Sequence, residues 1–260
     1  MVVLACCNHK GGSGKTTSAI HIGACLGLSG YRTILVDLDP QCYLTRTLGV
    51  GEPAPGKSTL ALFEPNMTLD KIGPVRLGAF NVIPSSSRLT KRMRTLNNAI
   101  DVLWLKEIVR TNHDYDVVVL DTAAAVTVYS LNAMVSADYL LIPVTPEYQG
   151  IVGAEQTYRT AETIHKRLNP HLAGVFFLLT QVDARKKAHY KWRHYLRMQY
   201  EDRVLMTVIR TNAALSRAHA DGTTTVENEP YSRGARDYAN ATDELVQRMG
   251  LRNTNAGSAP

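Results

Sequence analysis

Residues 8–17 of this 260-residue chain read Asn8-His9-Lys10-Gly11-Gly12-Ser13-Gly14-Lys15-Thr16-Thr17. An apolar run at residues 2–7 precedes them, and a helix-compatible stretch at 18–28 follows. Strand, glycine-rich turn and helix in that order make a phosphate-binding loop, and they commit the chain to an α/β fold. Glycines let successive backbone N–H groups curl around a polyphosphate. The new helix points its positive end at the same spot. Lys15 can reach the terminal phosphates, and the Thr16 hydroxyl can hold Mg²⁺.

The rest of the chain repeats the alternation. Apolar runs predict strands at 33–37, 80–83, 115–121, 139–143, 175–180 and 205–209. Helices are expected at 88–111, 151–168, 189–200 and 237–249, with a Pro- and Gly-rich loop at 51–58. Such alternation implies a parallel sheet covered by helices on both faces, with ligands beyond the carboxyl ends of the strands. The expected organisation is one domain over residues 1–252 and a disordered polar tail at 253–260.

Asp121 closes the apolar run at 117–120, the usual source of the acid on the Mg²⁺ side of a nucleotide site; a helix N-cap is its plainer role. Asp37 and Asp39 lie two apart, so on an extended strand end they would face one way. A carboxylate there can orient or deprotonate water, and turn chemistry is the alternative. Gln181, Asp183 and Asn212 follow the strands at 175 and 205, where they either read a base edge or serve as ordinary loop polar groups.

Charge narrows the partners. The net charge is +6, and residues 181–217, with nine basic side chains and three acids, carry an excess of the same size. A concentrated basic surface calls for a polyanion. On a helix from residue 188, Trp192, Tyr195, Leu196 and Gln199 share one side, and His189, Arg193 and Arg197 form a second stripe. The cysteines Cys6, Cys7, Cys25 and Cys42 show no paired metal spacing and read as buried thiols. The apolar runs are too short for a membrane span, and Met1 runs straight into a strand, so a cytoplasmic protein without a leader is expected.

The order Lys-Gly-Gly-x-Gly-Lys-Thr-Thr resembles the deviant Walker A loop of ParA/MinD-type ATPases, and Asp37-Leu38-Asp39-Pro40-Gln41 resembles that family's Asp-x-Asp-Pro-Gln. Leu131-Asn132-Ala133, residues 143–148 and Ser232-Arg233-Gly234-Ala235 stand where the ParA branch has near-identical words, so the likeness covers nearly the whole chain. It implies a doubly wound, mostly parallel sheet and an ATP-sandwich homodimer in which Lys10 touches the partner's nucleotide. Lys10, Lys15 and Asp39 take the catalytic roles. Residues Gly11, Gly12, Ser13, Gly14, Lys15, Thr16 and Thr17 hold ATP, and Thr16, Asp37 and Asp121 hold Mg²⁺. It also implies weak hydrolysis stimulated by a ParB-like adaptor, and non-specific binding of double-stranded DNA by the ATP dimer. Arg185 matches a DNA-contacting position. Lys186, Lys187, Arg193, Arg197, Arg210 and Arg217 are the other candidates, Arg210 and Arg217 compensating for Ala214 where the family has a contact. A nucleoid-associated cycle that segregates plasmids or chromosomes, or positions a protein cargo, is the expected role.

Two departures stand out. The family's prolines after Asp121 are replaced by Thr122-Ala123-Ala124-Ala125, which favours helix. Cys42-Tyr43 replaces a small Gly-Asn pair. A membrane-cycling relative would need a C-terminal amphipathic helix, and residues 253–260 offer no apolar face. A redox enzyme on the same scaffold would need cysteines beyond Cys42, and none follows.

Overall fold

In the computed structural model, which describes residues 1–252 apart from 55, 65, 94–95, 97–98 and 112–113, eight strands form one sheet. They are β1 (Val2–Cys6), β2 (Thr33–Asp37), β3 (Val75–Leu77), β4 (Phe80–Ile83), β5 (Val117–Asp121), β6 (Tyr139–Val144), β7 (Gly174–Val182) and β8 (Val204–Arg210). The order across the sheet is β3-β4-β2-β5-β1-β6-β7-β8, and every pairing is parallel except β3 with β4.

The strands are apolar without alternation because both faces are covered. Val3 and Ala5 of β1 enter one core, and Leu4 and Cys6 enter the other. The first core is closed by α5 (Trp104–Arg110), α6 (Val128–Ser136), α7 (Tyr148–Arg167) and α8 (Lys187–Tyr200). The second is closed chiefly by α1 (Lys15–Leu28) and α11 (Arg233–Met249). Short helices α2 (Tyr43–Thr47), α3 (Leu69–Ile72), α4 (Leu89–Met93), α9 (Ala213–Ala220) and α10 (Thr225–Asn228) fill the connections. The chain leaves β1 in opposite lateral directions, to β2 and later to β6, which makes the end of β1 the switch point where ligands bind in such sheets.

The expected strands all form. The helix expected over 88–111 does not: it is divided into α4, a 3₁₀ turn at Ala99–Val102 and α5. Side chains of α6 take groups that a continuous helix would use. The Tyr129 hydroxyl donates to the Leu89 carbonyl at 2.7 Å, and the Asn132 amide bridges the Asp101 carbonyl at 2.6 Å and the Leu105 N–H at 3.1 Å. The alanines after Asp121 are not helical either. Helix α6 starts only at Val128, behind a capping box of Thr127 and Ser130. The tail at 253–260 lies outside the described residues.

Candidate active site

The turn after β1 is braced from three elements. The Asn8 side chain accepts the Lys10 N–H at 2.8 Å and donates to the Pro143 carbonyl of β6 at 2.7 Å. Thr157 of α7 accepts the His9 N–H at 2.9 Å. At the end of β7, Thr180 donates its hydroxyl to the Ser13 carbonyl at 2.8 Å, and the Gln181 amide donates to the Gly12 carbonyl at 2.6 Å. Gly12 (φ 74°) and Gly14 (φ 87°) adopt left-handed backbone that other residues resist, and Gly14 opens α1. Asn8, Thr157 and Thr180 carry no motif signal; only the folded register brings them to the loop.

In and beside the loop, four buried polar atoms have no hydrogen-bond partner among the described residues: His9 Nε2, the Ser13 hydroxyl oxygen and both carboxylate oxygens of Asp121. Orphaned buried polar atoms are uncommon and costly, and they mark a place built for something else to bond. Burial raises the Asp121 pKa well above the usual range, and Asp37 adds to it. The Thr16 hydroxyl and the Lys15 ammonium pull it down, the hydroxyl without reaching good hydrogen-bond geometry. Asp121 does not cap α6; Thr127 does. Lys15 is itself buried, which lowers its pKa against the opposing field of Asp121. Its ammonium donates to the Lys10 carbonyl at 3.2 Å. The Lys10 side chain is exposed.

The two acids of β2 part company. The carboxylate of Asp37 accepts the Asp39 N–H at 3.0 Å, the Thr45 N–H at 2.9 Å and the Thr45 hydroxyl at 2.6 Å. It is fully buried, and burial pushes its pKa up to about 6 against those bonds. Asp37 therefore braces the turn into α2, with hydrogen-bond partners that Asp39 does not share. Asp39 is positioned differently: among the described residues its carboxylate accepts only the Gln41 N–H, at 2.8 Å, and its pKa is raised by burial and held down by Gln41 and Lys15. Ser85 fixes the Asp39 carbonyl at 2.7 Å. Cys42 adopts a left-handed φ of 57°, which the family's glycine would adopt without strain.

Beside Gly14 and Thr17 opens a cavity of about 310 Å³ lined by Thr180, Gln181, Arg210, Asn212 and His219. Gln181 and Asn212 both line it. Asp183 does not join them: its carboxylate chelates the Arg185 guanidinium at 2.9 and 2.8 Å and accepts the Arg185 N–H.

The basic residues are scattered in role. Arg210 is bound to the buried Asp237, and Arg217 pairs with Glu229 at 2.9 Å. Neither is the free replacement for Ala214 that the sequence allowed. His189 is buried, its ring accepting the Asp183 N–H at 3.1 Å. Arg193 and Arg197 are half-buried, with Arg197 donating to the Met206 carbonyl. The exposed side of α8 instead presents Lys187, Lys191 and His194, continuous in sequence with exposed Arg185 and Lys186. Trp192, Tyr195 and Leu196 pack inward as expected, whereas Gln199 is exposed.

Among known proteins, an AAA domain family matches residues 1–174. The sporulation initiation inhibitor protein Soj of Bacillus subtilis is 31% identical over 94% of this chain and 98% of its own length. The chain belongs to the ParA/Soj family of partitioning ATPases. The chromosome-partitioning ATPase Soj of Thermus thermophilus is 34% identical over 95% of this chain and 96% of that protein. Among solved structures, the cobyrinic acid a,c-diamide synthase of Mycobacterium smegmatis, with bound ADP and magnesium, is similar with a TM-score of 0.81 and 26% identity over 100% of both chains. Among the described residues no helix is long and apolar enough to cross a membrane.

Proposed function

We propose that this protein is a Mg²⁺-dependent ATPase of DNA segregation. Two copies close around two ATP molecules, the pair holds duplex DNA without reading its sequence, and a ParB-like adaptor speeds hydrolysis and release on the nucleoid. The observation that carries the reading is the orphaned set at the loop, the Ser13 hydroxyl and the two Asp121 oxygens beside a buried Lys15. The backbone of residues 11–17 and the Lys15 ammonium suit the phosphates. Thr16 and Asp121 would hold Mg²⁺, which neutralises charge on the transferring phosphoryl group.

Asp39, buried and with one carboxylate oxygen outside its turn bond, is the group to orient the attacking water and draw its proton. Lys10, exposed on the rim, serves the partner's nucleotide. In the base cavity Gln181 keeps its amide oxygen available and Asn212 its amide nitrogen, since their other ends bond Gly12 and Ala214. Lys187 and Lys191 form the exposed phosphate-contacting strip, flanked by Arg185 and Lys186, which are exposed but paired with Asp183 and Glu147.

Light scattering on a sizing column, with a non-hydrolysable ATP analogue and Mg²⁺, tests the core of this. Wild type is expected to dimerise, and to shift duplex DNA of any sequence at low salt only with the analogue. Lys10→Ala is expected to lose adaptor-stimulated turnover. A wild-type protein that stays monomeric and ignores DNA at low salt would end the reading.

A further inference from the structure

A concavity of about 560 Å³ opens between the 3₁₀ turn Thr59–Phe63, α3 and α5, and it shares no residue with the loop or the base cavity. Its floor is Leu62, Met67, Trp104 and Ile108. Leu62 is buried, but the other three are only half-covered by the protein's own packing. Glu64 and Glu107 stand on the rim. Glu64 approaches Arg92 no closer than 4.0 Å, and Glu107 is exposed with no ion pair among the described residues. Lys71, the one basic residue among the described lining, donates its ammonium to the Asn66 carbonyl at 2.7 Å. Next to Lys71, Asp70 is pressed against Asp114, and that neighbouring carboxyl raises its pKa.

An indole with carboxylates at its margin and an uncovered apolar floor takes a cationic side chain lying along its own hydrocarbon stem. The same carboxylates repel nucleic acid. We infer that this groove docks a partner segment in which arginine or lysine is flanked by apolar residues, and that the segment belongs to the adaptor that stimulates hydrolysis. The assignment to the adaptor rests on the function proposed above.

The groove is wired to the acids of the active site. Thr59, which begins the turn carrying Leu62, donates its hydroxyl to the Asp37 carbonyl at 2.7 Å. Asn132 of α6, the helix that follows Asp121 and its loop, accepts the N–H of Leu105 beside Trp104. A segment seated on Trp104 therefore bears on the elements that follow both β2 and β5.

The chain has two tryptophans, so Trp192→Phe leaves Trp104 as the sole indole reporter. That protein is titrated with an amidated peptide of alternating leucine and arginine, and with the leucine–glutamate counterpart, in the absence of nucleotide and DNA. The cationic peptide is expected to quench Trp104 emission saturably, and the acidic one to leave it unchanged. Glu64→Lys with Glu107→Lys is expected to weaken binding about tenfold. Glu64→Gln with Glu107→Gln, which adds no charge of its own, is expected to weaken it about threefold. Equal binding of the two peptides, or affinity unmoved in a pair of variants that melt like the parent, overturns the proposal. A Trp104 signal that follows protein concentration alone, in step with dimer formation, gives the groove to a second copy and overturns it too. Because no ATP is present, failure here leaves the ATPase reading standing, and failure of ATP-dependent DNA binding leaves the groove standing.

Discussion

The Lys15 ammonium donates to the carbonyl oxygen of Lys10 across 3.2 Å, so the loop's second lysine closes the turn that the first one begins. Burial makes that charge uncomfortable, as its lowered pKa records. Phosphate oxygens would give it the charged partner it lacks. Lys15→Gln, which keeps a donor and removes the charge, is expected to weaken binding of a fluorescent ATP analogue about thirtyfold, the size of a lost charge-assisted hydrogen bond. The nucleotide-free protein should melt lower than wild type, because the buried Asp121 and Asp39 lose the cation whose field opposes the cost of their burial. Unchanged analogue affinity would take Lys15 out of the phosphate site.

Asp39 and Asp37 are separable by mutation. Asp39→Ala removes a carboxylate whose only hydrogen bond among the described residues is to the Gln41 N–H, so folding should be little affected. Phosphate release should fall about a hundredfold or more, as for loss of a general base, while an ATP-dependent dimer persists on a sizing column. Asp37→Ala strands the Asp39 N–H and both Thr45 donors, and is expected to lower the melting temperature first. The reverse ranking in paired hydrolysis and melting assays would exchange the two roles.

Gly153 of α7 lies against the loop beside Lys10. A Cβ there would stand 2.7 Å from the Cβ of Lys10, a stem atom that cannot swing aside. Gly153→Ala should therefore push the loop off the Asn8 and Thr157 braces, destabilising the protein by about 1–3 kcal/mol and weakening nucleotide binding. A variant that binds the fluorescent analogue as wild type does would mean that α7 yields instead.

The phosphate loop was legible in the sequence because its chemistry is local: glycines, a lysine and a hydroxyl at fixed spacing after an apolar run. The parallel strands were legible for the same reason, each being a short buried run. What lay hidden depends on distant partners. Nothing near residues 88–111 announces that Tyr129 and Asn132 will capture its backbone groups and divide the helix. The two-residue spacing of Asp37 and Asp39 was read as a strand face, but Asp37 accepts the Asp39 N–H and the strand ends there. The basic stripe at His189, Arg193 and Arg197 has helical spacing, yet the side that faces water is the one with Lys187 and Lys191, because β8 and the turn at Asp183 claim the other.

His21 sets a pH dependence that can be isolated. It is fully buried beneath the loop, bonded to the Thr17 carbonyl at 2.8 Å and to Thr225, and stacked on Tyr238. Burial lowers its pKa from 6.5 to about 4. Between those values the unfolded chain binds a proton that the folded one refuses, so acidification removes stability, by about 2 kcal/mol on reaching pH 4.5. Asp37, held up to about 6, acts with the opposite sign, since its folded carboxyl takes a proton before the unfolded one. The comparison with His21→Gln removes that background. Wild type should lose ground to the variant as pH falls from 7 to 4.5 in urea titrations; a constant gap would show that His21 is not held neutral.

Arg210 and Lys187 were both expected at the DNA surface, and the structure makes them distinguishable. The Arg210 backbone N–H and Nε each donate to Asp237 at 3.0 Å, and the guanidinium's other arm takes the second oxygen of a carboxylate only 5% exposed. Arg210→Ala therefore leaves a buried carboxylate short of its counter-ion. With half of the arginine in solvent, the cost should be about 2 kcal/mol, seen in urea unfolding. Lys187 is exposed with no ion pair among the described residues. Lys187→Ala should leave unfolding unchanged and lower the slope of log affinity for duplex DNA against log salt by about one unit. If Arg210→Ala changes the salt slope and Lys187→Ala does not, DNA lies over the base cavity rather than along α8.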